Sequence, residues 1–71
     1  MVQETDPVMR KAMRVFEKSG KTLEELGIAM GQSADIARKS AWQFLNKTAD
    51  PRLSMLRRFA KAMGINVKDL L

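Results

Sequence analysis

Lys39 and Gln43 stand four residues apart, Asn46 follows three further on, and Arg38, Trp42 and Lys47 interleave with them. In a helix, residues at this spacing share one face. A carboxamide can bond N6 and N7 of adenine, and an ammonium or guanidinium can bond guanine or hold a phosphate. The chemistry on offer is recognition of double-stranded DNA. Arg38 can serve base or phosphate, and Lys47 and Arg52 are placed to meet the backbone. Ser33, at the start of the stretch, and Trp42 complete the candidate set. Trp42 either packs sideways onto a neighbouring helix, the favoured role for a lone Trp, or touches a sugar or thymine methyl group. The plain alternative for the polar residues is the wet side of an amphipathic helix. Asp35 speaks against phosphate near it, although a carboxylate can accept a hydrogen bond from cytosine.

Positioning these side chains requires two helices joined at Gly31. Leu23, Leu26, Gly27 and Met30 recur at the spacing of one buried helix face. Thr22 at the N-cap with Glu25 three residues on forms a capping box, and Gly31 supplies the left-handed residue that ends the helix. Gly27 in a helix interior costs about 1 kcal/mol relative to Ala, so a close approach of the next helix is expected there. Ile28 lies off the stripe, at the edge of the core or in an interface. The second helix spans 34–45, capped by Ser33, with Ala37, Ala41, Phe44 and Leu45 inward. A short capped helix, a Gly turn and a helix with polar residues outward is a helix-turn-helix pattern.

Two further helices flank this pair. Asp6-Pro7 and Asp50-Pro51 each read as a capping carboxylate followed by Pro at the first helical position. The first helix runs to about Lys18, with Val8, Ala12, Val15 and Phe16 buried and Met9 and Met13 flanking. Arg10, Arg14 and Lys18 form a basic row that suits solvent better than phosphate. After a loop over 47–50, the fourth helix runs to Met63 and ends at Gly64, with Leu53, Leu56, Ala60 and Met63 in one stripe and Phe59 beside it. Asn66, with Asp69 three residues on, caps a last short turn that ends at Leu70-Leu71. The expected fold is all-α: a compact bundle of four helices plus a short C-terminal one, in a single domain over 1–71 with 1–6 as a flexible tail.

Charge is unevenly placed. Residues 1–37 hold 5 basic and 6 acidic side chains, whereas 38–71 hold 8 and 2, a net of +6 in the second half. This suits attraction of phosphate by one part of the molecule. The chain has no Cys and no His, so neither zinc sites nor the common nucleophile–base pairs can be assembled, and paired carboxylates are lacking too. The sequence therefore points away from an enzyme, a cofactor or a metal. No apolar run approaches the roughly 20 residues of a membrane span and no signal peptide is visible. A cytoplasmic protein without membrane partners is expected.

TLEELGIAMG followed by a long helix and DPRLSMLRRFAKAMGINVKDLL resembles the phage-repressor-type helix-turn-helix regulators, the lambda repressor-like (XRE-type) DNA-binding domains. The resemblance covers about residues 8–71 and is most specific at Leu26-Gly27, Gly31, Pro51 and the closing AKAMGINVKDLL. It implies five short helices, with the one matching 34–45 entering the major groove and the one before it braced on the backbone. The segment from Gly31 to Pro51 is about one turn longer than the family pattern. Counting from Gly31 places Ala34, Asp35, Arg38 and Lys39 at the reading positions. Counting back from Pro51 places Arg38, Lys39, Trp42 and Gln43 there. Leu23 stands where many members carry a polar residue that touches phosphate, and Lys47 replaces the usual Gly. The expectation is a sequence-specific transcriptional regulator, repressor-like and acting on DNA as a homodimer through the Leu70-Leu71 end and the fourth helix. The rival is a protein-interaction module of the same fold, with Met55, Phe59, Ala62 and Leu70-Leu71 lining a partner groove.

Overall fold

The Thr22 side chain accepts from the Glu25 backbone N–H at 3.1 Å while the Glu25 carboxylate accepts from the Thr22 N–H at 2.8 Å. This reciprocal pair satisfies two donors that a helix start leaves free, and it opens helix α2, Leu23–Ala29, in a computed structural model that describes residues 7–71. The other elements are α1, Pro7–Ser19; α3, Ala34–Lys47; α4, Leu53–Met63; and a closing 3-10 turn, Val67–Leu70. The chain is thus a bundle of four helices and a short C-terminal 3-10 helix. The expected tail at 1–6 and the Asp6 cap lie outside the described residues.

Helices α2 and α3 make the most extensive contact of the bundle, and Gly27 is the reason they come so close. A Cβ at this position would sit 2.6 Å from Ala37 Cα and would overlap the Ala37 carbonyl. The missing side chain lets one backbone rest on the other. Gly31 has φ +99°, in the region that favours glycine. It turns the chain out of α2, and the Gln32 N–H closes the turn onto the Gly27 carbonyl at 2.9 Å. Helix α4 ends as expected, on a left-handed Gly64.

The core joins every helix: Met9 and Ala12 of α1, Leu26 and Met30 of α2, Ala41, Phe44 and Leu45 of α3, Leu56, Phe59 and Ala60 of α4, and Leu70 of the closing turn. The rings of Phe44 and Phe59 meet at 5.5 Å between centroids, tilted by 38°, a favourable offset arrangement. Among the described residues, no polar or charged residue is buried.

Several sequence expectations shift. In α1 the buried line is Met9 and Ala12, with Val8, Val15 and Phe16 only half-buried. The stripe turns toward Met9 because α1 packs against α3, α4 and the closing turn together. The Asp50-Pro51 start does not hold: α4 begins at Leu53, its N-cap is Arg52, and no side chain caps it. Residues 51–52 are used to redirect the chain, and the Arg52 carbonyl accepts the first helical N–H groups, from Met55 and Leu56. Leu53, at the very start of α4, lies beyond the core and is exposed, whereas Phe59, expected beside the stripe, is its fully buried centre. Phe59 and Leu70 are both 0 % exposed, so neither can line a partner groove or a dimer contact. The chain end is held by Lys11, whose ammonium donates to the Leu71 carbonyl at 2.9 Å.

Candidate nucleic-acid interface

Helix α3 is amphipathic along its whole length. Ala37, Ala41, Phe44 and Leu45 are buried, and Asp35, Arg38, Lys39, Trp42, Gln43, Asn46 and Lys47 are exposed. Its 14 residues make a rod of about 21 Å at 1.5 Å per residue. The rod is fixed by its buried side and by the Gly27–Ala37 contact with α2, so the outward residues stand on a rigid support.

The structure divides those residues into two edges and a spine. On the edge nearer α2, Arg38, Lys39, Trp42 and Asp35 line an open groove with Leu23. On the edge nearer α4, Gln43 and Lys47 line another with Ser40, Thr48 and Met55. Lys39 and Gln43, one turn apart, connect the two. Arg52 is exposed at the N-cap of α4, after the loop that leaves α3.

Ser33 occupies the N-cap position, but its side chain does not cap the helix. Its hydroxyl instead donates to the Asp35 carboxylate at 2.6 Å. That hydrogen bond, followed by the N–H of Asp35 itself, holds the Asp35 carboxyl below its ordinary range. The anion sits at the positive end of the helix dipole, where it stabilises the helix and repels phosphate. Ser33 therefore belongs with Asp35 and not with the cationic residues further along.

The C-terminal half of α3 carries one cation, Lys47, and is internally braced. The helix continues through Asn46 and Lys47, two residues past the expected end, so Lys47 is helical and not part of a loop. Asn46 donates its amide to the Trp42 carbonyl at 3.0 Å, which leaves its oxygen and second N–H available. The Lys47 ammonium lies 5.6 Å from the centre of the Trp42 ring, within cation–π range. Trp42 is 44 % exposed. It lies outside the core, beside Leu23 in the groove along α2, with Lys47 over its ring.

Two features escaped the sequence reading. Ile36 is 47 % exposed on α3, three residues before Lys39 and seven before Gln43; its helical phase marked it as outward. Arg58 and Lys61 of α4 line a groove with Ala29, Met30 and Gly31, against the C-terminal end of α2. Their charges suit the negative end of that helix, a pairing between elements that no local pattern reveals.

Among the described residues, no group of His, Cys, Asp and Glu could hold a metal ion, and no helix is long and apolar enough to cross a membrane. Compared with family models, curated proteins and solved structures, the chain matches none.

Proposed function

We propose that the protein is a sequence-specific double-stranded-DNA-binding regulator, with α2 and α3 as a helix-turn-helix of the phage-repressor type. Helix α3 lies in the major groove, and Lys47 and Arg52 meet the backbone beside it. One observation carries the reading: a rigidly braced helix presents Arg38, Lys39, Trp42, Gln43, Asn46 and Lys47 to solvent together. These are the side chains that read base edges or hold phosphate. Of the two reading registers, the one counted back from Pro51 fits better. Asp35 and Ser33 form a closed, negatively charged pair at the start of α3, whereas Arg38, Lys39, Trp42 and Gln43 follow one turn later. A repressor-like role in the cytoplasm, and a homodimer on paired half-sites, belong to the same proposal. With Leu70 committed to the core, a dimer contact would draw on Leu71 and the exposed side of α4.

The test is a salt titration of binding to duplex DNA. Log affinity falls with log salt at about 0.9 per neutralised phosphate. Four cations at the interface, Arg38, Lys39, Lys47 and Arg52, give a slope of about −3 to −4. Affinity that does not respond to salt, or no binding at low salt, counts against the proposal and for a protein-binding module.

A further inference from the structure

We infer that Ile36 selects thymine, by seating its side chain against a thymine methyl group next to the base contacted by Lys39. The inference rests on the reading of α3 as the major-groove element and deepens it. Ile36, Lys39, Gln43 and Lys47 stand at i, i+3, i+7 and i+11 of α3, one continuous ridge. Three of the four carry hydrogen-bonding heads; Ile36 has none and is 47 % exposed. A β-branched residue gains nothing for a helix at an exposed position, and the half-buried hydrophobics packed on the core do not include it. Within the major groove, the feature that an aliphatic side chain can recognise is the thymine C5-methyl group, since the other base edges there present donors and acceptors.

Spacing fixes where the methyl group must lie. Ile36 and Lys39 are three residues apart, about 4.5 Å along the helix axis, against about 3.4 Å between successive bases of a strand. A guanine held by Lys39 therefore has the thymine one step away, toward the α3 N-terminus. Gln43, four residues beyond Lys39, is about 6 Å further on and takes an adenine on the other side. Asp35, beside Ile36, is held by the Ser33 hydroxyl at 2.6 Å and keeps phosphate out of this corner.

The experiment starts from duplexes selected by the intact protein from a random-sequence pool. In the best duplex, each thymine is replaced singly by uracil, which removes the methyl and keeps the pairing. Affinities are measured for the wild type, Ile36→Ala and Gln43→Ala. At one thymine, the replacement is expected to weaken wild-type binding about fourfold, the value of one buried methyl group. Ile36→Ala should erase that difference, and Gln43→Ala should keep it. If no replacement matters, or Ile36→Ala retains the full effect, the Ile36 inference is wrong while sequence-specific DNA binding stands. If no sequence is enriched at all, the DNA-binding reading fails and the inference with it. Because Ile36 is exposed, its alanine variant keeps the fold; an unchanged thermal midpoint confirms that the comparison concerns binding.

Discussion

Replacing Gly27 by Ala tests how closely α2 and α3 must approach. The added Cβ would stand 2.6 Å from Ala37 Cα, whereas ordinary contact begins at 3.4 Å. Both partners are backbone, so no side-chain rotation relieves the overlap, and the helices must separate locally by about 1 Å. Overpacking costs about 1–3 kcal/mol, and a backbone clash belongs at the top of that range. Alanine returns about 1 kcal/mol of helix propensity. The net loss is therefore about 2 kcal/mol, set against a total stability of about 4–11 kcal/mol for a chain of this size. For a domain this small it lowers the thermal midpoint by about 8–16 °C. The assay is urea and thermal unfolding followed by circular dichroism, with Ala29→Gly as a control at an exposed position of the same helix. Ala29 is the last residue of the helix, so the control should lose at most about 1 kcal/mol from propensity. A Gly27→Ala variant that is as stable as the wild type, or more so, refutes the close approach.

Further outcomes follow from the same contacts. Phe59→Ala, at the centre of the core, should cost about 3–5 kcal/mol in urea unfolding, and Leu70→Ala about 2–5 kcal/mol. Leu71→Ala should stay within about 0.5 kcal/mol of wild type, and a large loss there would show that the chain end packs otherwise. The Glu25 carboxyl is held below its ordinary range, first by the Thr22 N–H and then by the Thr22 hydroxyl. A lowered folded value means that its contribution is complete above the ordinary carboxylate range and is lost as pH falls through the folded one. The urea midpoint of the wild type should therefore drop more on acidification than that of Glu25→Gln, and parallel curves would discount the capping box. Lys47→Ala should weaken binding to all duplexes alike and reduce the salt slope by about 1, read from titrations at several salt concentrations.

What the sequence disclosed was mostly local. The Thr22–Glu25 box, the need for a small residue at Gly27 and the stops at Gly31 and Gly64 each depend on a few neighbouring residues, and each stands in the structure. What it concealed depended on partners far along the chain or on how an element was aimed. Asp50-Pro51 carries a helix-start signature, yet Pro fits equally well just before an N-cap, and the turn from α3 into α4 uses it there. Helix α3 runs past its propensity-based end because the Asn46 bond to the Trp42 carbonyl and the Lys47 charge over the Trp42 ring hold its last turn. Periodicity gave the apolar side of α1 and α4 but not its midline, which Met9 and Phe59 occupy because of what lies opposite them. At the candidate interface, Lys47 reads from the sequence as part of the loop, whereas the outward placement of Lys39, Trp42, Gln43 and Asn46 was legible from helical phase. The pairing of Ser33 with Asp35, which turns a cap into a local anion, was not.

The central claim is that α3 reads base edges through Lys39 and Gln43. Its most direct measurement is the ratio of affinities for a selected duplex and a scrambled one, at two salt concentrations, for wild type, Lys39→Ala and Gln43→Ala. Each substitution should reduce the ratio by about 1–3 kcal/mol, roughly five- to 150-fold, with a smaller change in affinity for the scrambled duplex. A ratio that both variants leave unchanged would contradict the account.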